Sequence, residues 1–391
     1  MRKILIFLPL FLFADILSNL QTKKILLQKN KIAQESSFNK KSWLNPILLK
    51  YTVTRDNALE NTITTKKVFS IVLNQPIFKS GAIIYSIKYA DDLKKLNEKN
   101  LIFTKKKLIK TALDLAYEYK ITKLNERILN LKIKNALIDV KRKKQEYKSA
   151  LLDLTFLNNA IINLNSLKIS LEDIKEKLAN IKFNFKNISD MNIEDVKLNL
   201  FKIISLDEYI NNNLELKIKK LNQKVNKDLY KMQIGDTLVT LFVNANYNYQ
   251  NINYSNSLYK DDKINFYNIG AGISFPIDFK APNKIQKAKV NYLISKYDFL
   301  QKKRELINEY KSTLISINAI KNKIKIYKNN IKLYDELINS TKEAIVAGSA
   351  TQDDLIILQN SKKVNLIKIK ILNLELQKKL LNLYYKLSNQ K

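Results

Sequence analysis

The stretch that decides the fold is VTLFVNANYNYQ, residues 239–250. Apolar and aromatic side chains occupy every second position of this stretch and alternate with mostly polar ones. A period of two sustained over about ten residues predicts a β-strand with one apolar and one polar face. About nine to eleven residues is also the length that a tilted strand needs to cross a bilayer. The alternation therefore predicts a strand with one face toward lipid, as in transmembrane barrels.

Three further segments show the same alternation, at about 47–56, 66–77 and 264–276. Together with about 238–250 they predict two hairpins, whose loops at about 57–65 and 251–263 are rich in Asn, Ser, Thr, Asp and Lys. Three tyrosines share the apolar face and are predicted to form an aromatic girdle at the membrane interface: Tyr247, Tyr249 and Tyr267. A soluble hairpin that packs on helices is the alternative that the pattern leaves open.

Long helices are predicted by the scarcity of residues that break them. The chain of 391 residues contains 5 glycines and 5 prolines, and residues 82–234 and 283–347 contain neither. Apolar residues recur there at intervals of three and four, as in coiled-coil seams. A single helix over about 80–147 would be on the order of 100 Å long at about 1.5 Å per residue. Folds that need a turn about every 10–20 residues, such as a Rossmann domain, a TIM barrel or a many-stranded sandwich, are excluded.

Composition limits the chemistry that the chain can perform. It has neither cysteine nor histidine, which excludes disulfides, Cys/His zinc sites, thiol nucleophiles and imidazole bases. We expect no catalytic site, no cofactor and no metal, and hence no enzyme. The net charge of +33 is typical of nucleic-acid or anionic-membrane partners. A genome rich in A/T codons explains the excess of Lys, Asn and Ile equally well, so we interpret most lysines as solvated surface.

The N-terminus has the pattern of a secretory signal peptide. Met1-Arg2-Lys3 is a basic start, the apolar run 4–12 follows, and small residues precede a cleavage site near residue 20. The predicted signal peptide is residues 1–20, and a buried first helix is the alternative. The apolar run is too short to span a bilayer, and no later segment reaches 18 apolar residues.

The chain also carries an internal duplication. Pro76 and Pro276 each end a predicted strand, lie 200 positions apart in the numbering and precede a long helical segment. The first repeat is 21–204, with a helix, strands at about 47–56 and 66–77, a long helix at about 80–147 and a helix at about 151–180. The second repeat is 205–391, with a helix, strands at about 238–250 and 264–276, a long helix at about 283–346 and a helix at about 351–388. Four strands cannot close a barrel, so closure would require several copies of the chain.

Several short motifs occur in the order and spacing of one known family. They are Trp43–Leu48, Leu73–Phe78 with Gly81, Gly272–Ile277 with Gln286–Lys289, and Ala347–Leu355. In this arrangement the chain resembles the TolC-like outer-membrane efflux proteins of Gram-negative bacteria over nearly all of its mature length. The resemblance implies a mixed fold of α-helices and transmembrane β-strands. Very long α-helical coiled-coil hairpins and four strands per chain, internally duplicated, would close a 12-stranded barrel as a homotrimer.

The resemblance also implies a function. Such a channel is a passive duct in the outer membrane, surrounded by outer-membrane lipid and extending into the periplasm. It would export small toxic compounds that an inner-membrane pump and a periplasmic adaptor (membrane fusion) protein hand over, without contact with nucleic acid. Type I protein secretion through the same kind of duct is the alternative. A soluble basic coiled-coil scaffold or nucleic-acid-binding protein is the alternative of another class, and the signal peptide and the four strands disfavour it.

Candidate site residues follow from the matched motifs. By resemblance, three acids are candidates for the periplasmic entrance or gate: Asp153, Asp353 and Asp354. Helix capping is an equally good interpretation of them. The helix-hairpin turn is predicted at Gly348, Ser349 and Thr351. Turns at strand entries and between strands and helices are predicted at Pro46, Pro76, Gly81 and Pro276. The chain departs from the family in the short region before Pro46, in Tyr147, where a glycine is expected, and in Ile357, where a second acid is expected.

Overall fold

The computed structural model describes residues 16–59, 62–256 and 258–388. Residues 1–15 of the predicted signal peptide lie outside the described residues. By internal contacts the chain forms two units: Met1–Leu26, Ile102–Leu214 and Arg304–Lys391 make the first, and Leu27–Leu101 and Glu215–Lys303 make the second. The helices and strands are α1 (Asn19–Lys40), β1 (Leu48–Leu59), β2 (Thr62–Lys79), α2 (Ala82–Lys148), α3 (Leu154–Lys186), α4 (Leu206–Asn211), α5 (Leu214–Asp236), β3 (Thr240–Tyr254), β4 (Asp262–Ser274), α6 (Ala281–Val346) and α7 (Gln352–Tyr384).

The second unit holds one antiparallel sheet in the order β1-β2-β3-β4. The two predicted hairpins are joined by the pairing of β2 with β3, so strands from both repeats lie side by side. The register places matching residues of the four strands in rows across the sheet. One row on the apolar face consists of Leu49, Ile71, Tyr247 and Tyr267. The next row, on the opposite face, consists of Lys50, Ser70, Asn248 and Phe266.

The apolar face of this sheet is exposed to solvent in the single chain. Leu49 is 68 % exposed, and Tyr267 and Ile269 are each 74 % exposed. On the polar face, the Ser70 hydroxyl donates a hydrogen bond to Asn248 Oδ1 at 2.7 Å. The sheet therefore leaves its apolar face uncovered and carries a side-chain hydrogen bond on its other face.

The strands extend further toward their loops than the apolar alternation suggests. β2 begins at Thr62 and β3 ends at Tyr254, and Thr64 pairs with Tyr254. The ladder continues through polar residues because its hydrogen bonds join backbone groups and do not require apolar side chains. The connection between β3 and β4 is correspondingly shorter than the loop expected at about 251–263.

Two helices of unusual length confirm the predicted combination of very long helices with four strands. α2 contains 67 residues and α6 contains 66. In the first unit, large side chains such as Tyr117, Leu306 and Ile317 are fully buried. The hydroxyl of Tyr310, on α6, donates a hydrogen bond to the carbonyl of Ile204 at 2.6 Å. This bond attaches the non-helical segment that precedes α4 to helix α6. No described helix is both long enough and apolar enough to span a membrane.

Candidate functional site

The turn between α2 and α3 is closed by a residue in the left-handed conformation. Ala150 has φ +57°, and the amide of Leu151 donates to the carbonyl of Glu146 at 2.9 Å. This arrangement satisfies the last carbonyls of α2. The family pattern suggested a glycine at position 147, which is Tyr147 in this chain. The residue that takes the glycine-like conformation is instead Ala150, three positions later. Holding an alanine there costs about 1 kcal/mol of backbone strain.

The turn between α6 and α7 repeats this geometry with a glycine. Gly348 has φ +73°, and the amide of Ser349 donates to the carbonyl of Ala344 at 2.9 Å. A Cβ at Gly348 would meet no heavy atom within 4 Å, so only the backbone conformation favours glycine here. Ala150 and Gly348 thus occupy equivalent places in the two repeats.

Asp153 is the N-cap of α3. Its Oδ1 accepts hydrogen bonds from the amide of Thr155 at 2.7 Å and from the hydroxyl of Thr155 at 2.6 Å. These bonds hold the pKa of Asp153 below its ordinary value, and the bond from the hydroxyl has the larger effect. The carboxylate therefore stabilises the start of the helix.

Asp354 forms a capping box with Thr351 at the start of α7. Its Oδ2 accepts from the Thr351 hydroxyl at 2.6 Å and from the Thr351 amide at 3.1 Å, and the amide of Asp354 donates to Thr351 Oγ1 at 3.2 Å. Hydrogen bonds from Thr351 lower the pKa of Asp354, and the charge of Arg142 lowers it further. Arg142 Nη1 lies 3.2 Å from Asp354 Oδ1. Sequence reasoning missed this ion pair between α2 and α7.

Asp353 differs from the other two acids. It is half-exposed, and it has no hydrogen bond or ion pair with the described residues. Two of the three predicted gate acids thus make capping hydrogen bonds, and the third is available to solvent. A role in an entrance or gate stays a prediction for all three.

The entry to β1 is fixed by a side chain of β2. Gln75 Oε1 accepts from the amide of Asn45 at 2.9 Å, and Gln75 Nε2 donates to the carbonyl of Trp43 at 3.1 Å. Pro46 therefore lies in an exposed segment that is tied to the strand beside it. Pro76, which has no amide proton to give to a ladder, lies at the register shift of the β2–β3 pairing.

Two glycines shape the passage from β2 into α2. Gly81 has φ +89°. A Cβ on Gly235 of α5 would lie 2.6 Å from the amide nitrogen of Ala82 and 2.9 Å from the carbonyl oxygen of Ser80, so only glycine fits this approach. At the other sheet–helix junction, Pro276 lies between β4 and α6.

The three predicted girdle tyrosines lie together on the apolar face. Tyr247 and Tyr267 are cross-strand partners, and Tyr249 is the next residue of β3 on that side. All three are exposed. The arrangement suits an aromatic belt, which stays a prediction.

A buried pair of carboxyl groups in the second unit had no sequence signal. Asp92 of α2 is 3 % exposed and Asp228 of α5 is 7 % exposed. Asp92 accepts from Lys224 at 2.7 Å and from Lys95 at 3.2 Å, whereas Asp228 Oδ2 has no hydrogen-bond partner. Burial raises the pKa of Asp228, and the hydrogen bond with Asp92 raises it further. Burial also opposes ionisation of Asp92, but the hydrogen bonds from Lys224 and Lys95 lower its pKa overall.

Within the described ranges no three carboxylates gather as a metal site would need.

Comparison with known proteins identifies what this architecture is similar to. The model of the family "Outer membrane efflux protein" matches residues 206–379. No curated protein sequence matches the chain.

Solved outer-membrane channels have the same fold at low sequence identity. The CmeC outer membrane channel of Campylobacter jejuni is 13 % identical, with a TM-score of 0.73 over 95 % of this chain and 85 % of that one. The outer membrane protein VceC of Vibrio cholerae is 11 % identical, with a TM-score of 0.72 over 90 % of each chain. The open state of the MtrE outer membrane channel of Neisseria gonorrhoeae is 12 % identical, with a TM-score of 0.67 over 96 % of this chain and 87 % of that one. The resemblance drawn from the motifs is confirmed.

Proposed function

We propose that this chain is the passive export duct of a tripartite efflux system. The proposal is supported by the match to the outer membrane efflux protein family model and by the fold, which is that of outer-membrane channels. In this proposal a homotrimer stands in the outer membrane of a Gram-negative bacterium and extends into the periplasm. A periplasmic adaptor and an inner-membrane pump hand small toxic compounds to it, and no chemistry occurs in the duct.

The observation that carries the proposal is the open, apolar sheet of the single chain. β1 and β4 are its edges, and each pairs with only one described strand. Exposed edges and an uncovered apolar face make a sheet prone to associate. A lipid environment covers such a face, and pairing of β1 with β4 of another copy removes both edges.

Three copies of a four-stranded sheet make the 12-stranded barrel that the sequence analysis expects. Even strand numbers in this range are common in outer-membrane barrels. The proposal divides the chain as the sequence predicted it, into repeats at 21–204 and 205–391, each supplying two strands and two long helices to the shared cylinder.

Two substitutions on adjacent residues of β4 test which face meets lipid. Ile269 lies on the apolar face and Asn268 on the opposite face. Ile269→Arg places a charge in hydrocarbon, which costs about 2–4 kcal/mol at the bilayer midplane, so the outer-membrane fraction should lose its heat-modifiable trimer on gel electrophoresis. Asn268→Arg, the matched control, should retain it. Equal behaviour of the two variants, or a soluble monomer for the unaltered protein, would contradict the proposal.

The transport role is tested separately in cells. Deletion of the gene should increase sensitivity to a panel of toxic amphiphiles, and the unaltered gene on a plasmid should restore resistance. Unchanged sensitivity together with loss of a secreted protein would refute efflux and support type I secretion instead.

A further inference from the structure

A basic groove between α2 and α7 lies in the first unit. It contains a cavity of about 650 Å³ and a second of about 430 Å³. Arg127 and Lys370 line both cavities and thus mark their junction. Volumes of this size are typical of small-molecule sites.

The charge of the groove has one sign only. Its lining includes six cations: Lys120, Lys123, Arg127, Lys134, Lys363 and Lys370. No carboxylate lines either cavity. Lys123 pairs with Glu126 at 2.7 Å, and Lys120 donates to the carbonyl of Val196 at 2.9 Å. The remaining four cations have no acidic partner among the described residues, so they can receive an anion.

The floor of the groove is apolar. Leu124 and Leu374 line the larger cavity, and Leu366 and Ile367 line the smaller. Leu200 also borders the larger cavity but is 86 % exposed. Residues at intervals of three and four project from one side of a helix, which is how Leu124, Arg127 and Leu131 come to share the groove. A long cationic side chain over leucines keeps its charge in water while its stem covers apolar surface.

We propose that this groove binds a single-chain anionic amphiphile. Its carboxylate lies between Arg127 and Lys370, and its hydrocarbon chain lies along Leu124, Leu374 and Leu200. The two halves of the site need each other, because exposed ion pairs in water bind only weakly and burial of methylene groups supplies the rest. A simple inorganic anion would leave the leucines uncovered, and a neutral chain would leave four cations unpaired.

The experiment uses the full-length protein in a non-ionic amphipol and 11-(dansylamino)undecanoate as the probe. Dansyl fluorescence should increase saturably on binding, after subtraction of the signal from empty amphipol. The double variant Arg127→Gln, Lys370→Gln should weaken binding at least tenfold. The matched control Lys332→Gln, Lys342→Gln removes two exposed lysines of α6 and should bind as the unaltered protein does. Circular dichroism at 222 nm verifies that each variant is folded.

Three arms distinguish the chemistry of the occupant. The methyl ester of the probe should bind at least tenfold more weakly, and inorganic phosphate at millimolar concentration should not displace the acid. The floor variant Leu124→Asn, Leu374→Asn should also weaken binding, which keeps the test decisive if the charge variant fails to fold. Equal binding of ester and acid, displacement by phosphate, no binding of the probe, or undiminished binding by the double charge variant would each overturn the proposal. Because binding is measured on isolated protein, its failure would leave the transport proposal intact.

Discussion

The buried carboxyl pair makes a prediction in which two similar substitutions have opposite effects. Asp92→Asn should destabilise the second unit, whereas Asp228→Asn should stabilise it at neutral pH. Asp92 is ionised and held by Lys224 and Lys95. Asp228 is buried against it, and its pKa is raised. An amide at 228 can donate to the Asp92 carboxylate, as a protonated acid does, without having to ionise.

The magnitudes follow from these contacts. Burial raises the pKa of Asp228, so relief of this ionisation penalty should increase the free energy of unfolding at neutral pH. Hydrogen bonds to a charged group contribute about 1.5–3 kcal/mol each. Because Lys224 and Lys95 can turn to water, Asp92→Asn should cost only about 1–2 kcal/mol.

The stabilising effect of Asp228→Asn depends on pH. A carboxyl whose pKa is higher in the folded state is protonated in both states at low pH, and its penalty develops as pH rises above the ordinary value of 3.8. Asp228→Asn and the unaltered protein should therefore have similar stability near pH 4 and diverge by pH 7.5. The groups that face Asp228 are Asp92 and Lys88 on α2 and Lys224 and Lys231 on α5, and the lysines limit the divergence.

Thermal unfolding followed by circular dichroism at 222 nm, at pH 4 and pH 7.5, measures both effects. The reasoning is refuted if Asp228→Asn lowers the midpoint at pH 7.5 as much as Asp92→Asn does. It is refuted equally by a stability gain that is as large at pH 4 as at pH 7.5.

Three further predictions concern the turns, the sheet and one tyrosine. Gly348→Ala should lower the free energy of unfolding by about 1 kcal/mol, and Ala150→Gly should raise it by about 0.5 kcal/mol, because both positions have positive φ. If thermal melts show the two substitutions shifting the midpoint in the same direction, this explanation is wrong. Gly272→Ala should lower the free energy of unfolding by about 1–3 kcal/mol, because its Cβ would lie 2.5 Å from the Phe242 ring. In a double-mutant cycle measured by refolding, Phe242→Leu should remove most of that loss. Burial raises the pKa of Tyr117 to about 12, so the 295 nm titration of Tyr117→Phe should match that of the unaltered protein until about one pH unit below that value.

The main elements of the fold were predictable because each had a local signal. The alternation in 239–250 specifies a strand whatever surrounds it, and the absence of Gly and Pro from 82–234 leaves little alternative to long helices. The pairing of β2 with β3 had no such signal. It depends on bringing together strands that are far apart in the chain, which local patterns do not encode.

At the turns, sequence reasoning identified Gly348 but placed the equivalent position of the first repeat at Tyr147. Alanine rarely adopts positive φ, so Ala150 carries no mark of its conformation. Arg142 could not be connected to Asp354 because 212 positions separate them and arginine is common on helix surfaces. Gly235 did offer a signal, as an isolated glycine near the end of a breaker-free stretch, and a close backbone approach explains it.

The exposed apolar face of the sheet also favours the proposed channel over the soluble basic scaffold. A soluble protein must cover apolar surface of this extent with its own chain, yet Tyr267 and Ile269 are each 74 % exposed with the whole described chain present. A phosphate-binding face would need cations, but the row of Leu49, Ile71, Tyr247 and Tyr267 has none. High positive charge therefore explains little about this surface. The groove between α2 and α7 does combine cations with apolar side chains, so the anion that we propose for it needs an apolar tail.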